Sequence, residues 1–325
     1  MKKIFIVLIV LLSVTFAFAQ EAQKKPLTQA EFVKMLYELE RNPAIKDEVV
    51  TTLRIRGIDF KLTSGLRSLT RSKGRNDAEL KRTLEEANRR RENPETAKLP
   101  SPAEAKAILE KTRQNTLGAV DEMPDFVVKQ RIKRSAAFAG TGNFRSLDRL
   151  IVAVSYRANG QEEYRLLSKN GILQENSQSK NSYSEVGGTS STGEFVNFLA
   201  TIFKTESETK FKLIDTDLIR NQRALVFDYS IEREKARQKI TSYGFVADST
   251  ITGVVGKIWI DREKARVLRV ESTATEIPSD FPVTAASRTI NYDWVEISGE
   301  KYLLPTLSDV RLTFRQNREL FESRN

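Results

Sequence analysis

A chain of 325 residues with neither histidine nor cysteine has little catalytic chemistry open to it. Ser-His-Asp and Cys-His relays need an imidazole or a thiolate. Zinc, copper and non-haem iron are normally held by the same groups. Carboxylate, tyrosine, lysine or Ser-Lys chemistry remains, and no pair of carboxylates is spaced for acid–base work. Asp215 and Asp217 flank Thr216, but the stretch lacks the glycine and the later glutamate of an EF-hand loop, so it reads as turn chemistry. Asp261 begins a hairpin turn, and Glu232 and Glu234 alternate with Arg233 and Lys235 as at a solvated strand end. The expectation is a protein that is no enzyme and carries no cofactor.

Gly187-Gly188-Thr189-Ser190-Ser191-Thr192-Gly193-Glu194 is rich in glycine and hydroxyls and opens a helix. Such a terminus can bind phosphate, but the Walker pattern needs a lysine that is missing. Ser191-x-x-Glu194 reads as a capping box, with an anion site or a catalytic serine as the alternatives. The helix behind it, Phe195 to Phe203, carries Phe195, Phe198, Leu199, Ile202 and Phe203. This apolar face either packs a core or acts as a lid over a lipid-sized cavity. Trp259 and Trp294 sit in strands, where aromatic rings pack cores or stack on a ligand. These seven residues are the candidate ligand-binding set.

Several elements must position them. Lys2-Lys3, the apolar run Ile4–Phe16 and Ala17-Phe18-Ala19 have the pattern of a cleavable signal peptide over residues 1–19. The apolar run is shorter than the ~20 residues that span a bilayer. The expected location is periplasmic or secreted, with no transmembrane span after cleavage. Without cysteine the exported chain forms no disulfide and rests on packing alone.

Residues 20–92 read as a small helical module. Thr28-x-x-Glu31 is a capping box, followed by Phe32, Leu36 and Leu39 on one face. Ile45, Val49 and Leu53 mark a second helix that stops at Gly57. Leu66 and Leu69 mark a third, closed by Gly74. Asn76-x-x-Glu79 starts a fourth, with Leu80, Leu84 and Ala87 inward. The net charge of +10 is concentrated here: Arg54–Arg91 holds 12 basic and five acidic side chains. That region reads as a solvated surface or as a contact for an anionic envelope surface; nucleic acid is not an expected partner.

Residues 93–101, with Pro94 and Pro100, read as a linker. From 102 to 325 an initial helix, capped at Ser101, gives way to period-two alternation. Leu150, Val152, Val154 and Tyr156 alternate strictly, and residues 148–169 read as a hairpin. Leu225–Ile231, Ile258–Ile260, Val267–Val270, Ile290–Trp294, Tyr302–Leu304 and Val310–Phe314 continue the series. A parity change at Val295 and Ile297 suggests a bulge. Short turns make this an antiparallel meander with one apolar face. The expected fold class is α+β: a helical module, then a curved antiparallel half-barrel wrapped around one or two helices.

Two resemblances carry these motifs further. Val50–Thr63 with Gly74-Arg75-Asn76-Asp77 resembles a small helical module at the front of many bacterial envelope and signalling proteins, which implies a protein-interaction role. From Ala105 onward the chain is similar to a family of uncharacterised secreted proteins from environmental (acidobacterial-type) bacteria. The carrying motifs include Met123-Pro124-Asp125-Phe126, Gly256-Lys257-Ile258-Trp259-Ile260-Asp261 and Tyr302-Leu303-Leu304-Pro305. The Gly-x-Ile-Trp-Ile-Asp hairpin also resembles outer-membrane lipoprotein carriers, the LolA/LolB-like half-barrels. That likeness implies an incomplete barrel that wraps a helix and holds acyl chains, with a lipid or lipoprotein as partner. The alternative is an interaction or sensor module, with the helical unit making the contact and the β domain as scaffold.

Overall fold

The computed structural model describes residues 25–158, 160–174, 183, 186, 189–190, 196–236, 238–243, 247–297, 299–316 and 319–325. The signal-peptide segment 1–19, Gly187-Gly188 and Ser191–Phe195 lie outside the described residues. The chain divides into two compact units at Glu92/Asn93.

In the first unit, α1 (Gln29–Arg41) starts at the expected capping box. Thr28 Oγ1 accepts from the Glu31 N–H at 3.2 Å, and Glu31 Oε2 accepts from the Thr28 N–H at 2.8 Å. α2 (Lys46–Arg56) ends where Gly57 takes φ +64°, a conformation that costs a side chain strain. α3 (Ser64–Lys73) is capped by Thr63. At α4 (Ala78–Glu92) the cap is one residue later than the spacing suggests: Asp77, not Asn76, accepts from the Leu80 N–H at 2.8 Å. Asn76 instead takes φ +60° and accepts from Lys81 Nζ. Leu27, Phe32, Leu36, Leu53, Leu80 and Leu84 form the buried centre, where Phe32 stacks on Phe60 at 5.7 Å. Much of the basic run is engaged within this unit, with Arg54 on Glu79, Arg67 on Glu85 and Arg89 on Glu86.

The second unit opens with residues 93–101. Ala97 is fully buried; its carbonyl accepts from Thr216 Oγ1, and that of Lys98 accepts from Arg262. This stretch is therefore docked on the unit that follows it. α5 (Pro102–Asp121) comes next, capped by Ser101.

The strands are β1 (Phe126–Phe138), β2 (Arg145–Tyr156), β3 (Glu162–Lys169) and β4 (Ile172–Leu173), then, after α6 (Asn197–Phe203), β5 (Lys210–Ile219) and β6 (Gln222–Ile231). The short α7 (Arg233–Ala236) leads to β7 (Gln238–Tyr243), β8 (Ala247–Asp261), β9 (Val267–Thr275), β10 (Val283–Ile297), β11 (Glu300–Gln316) and β12 (Glu319–Arg324). They form one antiparallel sheet in the order β4-β3-β2-β1-β12-β11-β10-β9-β8-β6-β5, with β7 on β8. The sheet is curved and unclosed, an α+β half-barrel.

The path is a meander with one long exception: the chain leaves at β4, on one edge, and re-enters at β5, on the other. The C-terminal strand then returns to pair with β1. α5 and α6 lie on one face. Leu199, Ile202 and Phe203 of α6, and Ala105, Ile108 and Leu109 of α5, pack against Leu225, Phe227, Ile258, Val270 and Ile290.

Three details correct the sequence reading. Asp215 and Asp217 are buried inside β5, not in a turn. The β10–β11 register shifts at Thr284 of β10 and at Thr306 of β11, where Tyr292 pairs with Pro305 and Asn291 with Leu307, and not at Val295. β11 runs unbroken through Pro305, and β12 follows it rather than Phe314 ending the series.

Candidate functional site

The structure separates the candidate residues. Phe195 lies outside the described residues. Leu199, Ile202 and Phe203 are buried at 6%, 0% and 0% exposure in the α6–sheet core, and Phe203 stacks on Phe211 at 5.8 Å. Phe198 is half-buried under the Arg288 guanidinium at 4.5 Å. The N-terminus of α6 is held from β3: Glu162 Oε1 accepts from the Val196 and Asn197 N–H groups at 3.2 and 3.4 Å. This carboxylate at a helix start is favourable electrostatically, and its distance in sequence hid it.

Trp259 points to the opposite face. There it packs with Ala224, Val226 and Leu268, and its indole N–H donates to Asp217 Oδ2 at 3.0 Å. The strand alternation explains the separation. Ile258 and Ile260 face the helices, so Trp259 between them cannot. Trp294 is 40% exposed, with the Arg266 guanidinium 5.4 Å from its ring centre. The α6 face and the two tryptophans therefore do not form one pocket.

A cavity of about 1140 Å³ lies elsewhere, between β1 and β11. β12 fills the space between these strands over only part of their length: it pairs with Ser135–Phe138 of β1 and with Arg311–Gln316 of β11. Its last link is the reciprocal pair between Asn325 and Val310, at 3.1 and 2.9 Å. Over the rest of their length, no strand among the described residues lies between β1 and β11. Consecutive residues 128–133 of β1 and 304–310 of β11 line the resulting cleft. Because neighbouring strand residues point to opposite faces, this lining means that the strand edges themselves form the walls.

The cleft is mixed in character. Val128, Ile132, Ile151, Leu167, Leu304 and Leu307 supply apolar surface. Gln130 Oε1 and Ser308 Oγ are buried without a hydrogen-bond partner among the described residues. Lys129, Arg131 and Lys133 are exposed on one face of β1, and none is ion-paired with a described residue. Asp309 is the acidic residue in the lining, and Arg324 already holds it at 2.7 Å. At the end of the cleft the buried Arg134 grips Asp148 on β2 through two bonds of 2.7 and 2.6 Å. That guanidinium holds the Asp148 carboxyl below the usual range. Burial raises Tyr156 and Tyr229 above the ordinary phenol value, which leaves both neutral. Among the described residues no cluster of acidic groups has the arrangement of a metal site.

The sequence reading missed this cleft. Its signal is the alternation of Lys129, Arg131 and Lys133 with Val128, Gln130 and Ile132, which by itself reads as an ordinary half-buried strand; that β1 shares a cleft with β11 depends on pairings between distant strands.

No protein-family model and no curated protein matches the chain. Among solved structures, it is similar to a LolA superfamily protein from Nitrosomonas europaea, at 15% identity over 65% of this chain and 90% of that one, with a TM-score of 0.25. It is also similar to an outer membrane lipoprotein-sorting protein domain from Vibrio parahaemolyticus, at 12% identity over 66% and 88% of the two chains, with a TM-score of 0.25. At this level of superposition the likeness carries no weight on what the chain binds.

Proposed function

We propose that the mature chain is a non-enzymatic binding protein of the periplasm or extracellular space, whose half-barrel takes up a lipid, a lipidated partner or another apolar ligand. The observation that carries this reading is the cavity of about 1140 Å³ in the unclosed sheet, with apolar side chains from β1, β2, β3 and β11 along its walls. That volume lies just above the ~300–1,000 Å³ typical of ligand sites. The signal-peptide pattern supports the location, and the absence of histidine and cysteine supports a binding rather than a catalytic role. The reading moves the ligand away from α6, whose apolar face is already spent on the core.

Native mass spectrometry of the protein purified from a bacterial envelope tests it. The expected result is an adduct with the mass of a phospholipid or an acylated species. Leu307→Trp and Ile151→Trp, which narrow the cleft, should reduce that adduct. A spectrum of bare protein from envelope extracts would overturn the reading.

A further inference from the structure

The charges of the half-barrel are unevenly partnered. Lys129, Arg131 and Lys133 of β1, Arg149 of β2 and Arg165 of β3 are all exposed, and none is ion-paired with a described residue. The strand registers put the five on one face. Residues opposite one another across a strand pair share a face, and so do alternate residues of one strand. Lys133 stands opposite Arg149, and Lys129 opposite Ala153, which stands opposite Arg165. Arg131 heads a row that runs through Ile151 and Ser168 to Leu173 of β4. Ile132, Val152, Tyr164 and Leu166 alternate with these residues and turn into the core on the other side. Val127 and Leu173, 67% and 75% exposed, lie at the margins of the cationic face. The acid on it is Glu163, in the row of Val127 and Ser155. On β11 and β12, by contrast, Arg324 is paired with Asp309, and Arg311 with Glu322.

We propose that this face of β1–β4 docks on an anionic phospholipid bilayer. Alternate residues stand ~6.6 Å apart along a strand and neighbouring strands ~4.8 Å apart, so the five cations fall within a patch of about 13 by 10 Å. Each basic side chain close to an anionic leaflet raises partitioning about fivefold, and here five act together from one rigid sheet. The exposed Leu173 and Val127 favour a bilayer over a soluble polyanion, because the membrane interface takes up apolar side chains beside its charged headgroups. The anionic contact expected of the Arg54–Arg91 run thus moves to the second unit, since Arg54, Arg67 and Arg89 already hold carboxylates of their own unit. The docking uses side chains on the sheet face rather than the cleft, and it does not rest on the ligand reading above.

Sedimentation of the full mature chain with vesicles of three parts phosphatidylcholine to one part phosphatidylglycerol tests it. The chain should sediment with these vesicles and not with phosphatidylcholine alone. Partitioning should fall steeply as salt rises from about 0.15 M to about 1 M, where screening shortens the reach of each charge. Arg131→Glu/Arg149→Glu should weaken it by more than about 20-fold. Should circular dichroism show that this pair does not fold, Lys129→Gln/Lys133→Gln removes two charges without reversing them and should weaken partitioning by about 20-fold. Equal sedimentation with the two kinds of vesicle would overturn the inference. So would a loss as large in Lys61→Glu/Arg71→Glu, which reverses two exposed cations of the first unit. Retention of polyglutamate with no sedimentation on the vesicles would assign the face to an acidic protein and overturn it as well.

Discussion

Arg134 and Asp148 face each other across β1 and β2 as register partners, joined by two hydrogen bonds of 2.7 and 2.6 Å, with only 5% and 7% of each residue exposed. Lys169 Nζ stands 3.7 Å from the same carboxylate, and the Thr189 carbonyl accepts from Arg134 Nη1 at 3.3 Å. Removing one partner of such a pair strands a buried charge. Asp148→Ala should therefore destabilise the second unit by about 3–5 kcal/mol. Replacing both residues with apolar ones of similar size should recover most of that loss. Urea denaturation of the three variants checks the pattern.

The same pair sets an acid limit. Asp148 is held below its ordinary value of 3.8, chiefly by its hydrogen bonds to Arg134. Its contribution is fully present above that ordinary value and is lost as pH falls through the lower folded value. The exposed Glu31 behaves alike, held at about 2 chiefly by the Thr28 backbone N–H and then by Arg56. Its contribution disappears between its ordinary 4.5 and about 2. Denaturation midpoints measured from pH 6 to pH 2 should fall below pH 4, and the fall should shrink in Asp148→Asn.

Trp259 donates to Asp217 at 3.0 Å in a buried site, whereas Trp294 is 40% exposed. Trp259→Phe keeps most of the packing but leaves Asp217 short of a donor, a loss of about 1–3 kcal/mol. Acrylamide should quench the fluorescence of the Trp259→Phe variant readily and that of Trp294→Phe poorly. Trp294 adjoins Val295, which lines the cleft, so ligand binding should shift the emission of the first variant alone.

Gly256 on β8 has no room for a side chain: an added Cβ would stand 1.9 Å from the Glu271 carbonyl oxygen and 2.9 Å from the Tyr229 ring. Both neighbours are fixed by the β6–β8–β9 pairing. Gly256→Ala should cost at least ~1–3 kcal/mol, as overpacking does, with a lower melting temperature as the readout. Gly57→Ala meets open space but must adopt φ +64° with ψ −161°, a conformation essentially confined to glycine, and should cost about 1–3 kcal/mol.

Ile202→Ala and Phe203→Ala should each destabilise the second unit by about 2–5 kcal/mol, because both side chains are fully buried. Neither residue lines the cleft. Ligand binding measured well below the melting point should therefore be unchanged, whereas Leu307→Trp should weaken binding with little loss of stability.

Local pattern was enough to read the helix starts at Thr28 and Ser101, the stop at Gly57 and the alternating strands from Leu150 to Phe314. Each of these depends on residues a few positions apart, and so does the α+β class they add up to. The composition alone removed histidine and cysteine chemistry. Pairings between distant residues were not legible. Glu162 holds the start of α6, Asp217 takes the Trp259 indole, and Asp148 neutralises Arg134. Asp215 and Asp217, seen as turn residues from their neighbours, became strand residues because β6 pairs with them. The apolar helix Asn197–Phe203 was legible as apolar, but whether it covers a cavity or fills a core depends on which strands lie beneath it. Only the tertiary structure decided that: α6 packs on Leu225, Phe227 and Ile258, and the open space lies between β1 and β11. A strand's residues encode which face is wet and which is dry. They do not encode which distant strands will flank it, and here those pairings set β1 and β11 on either side of the cleft.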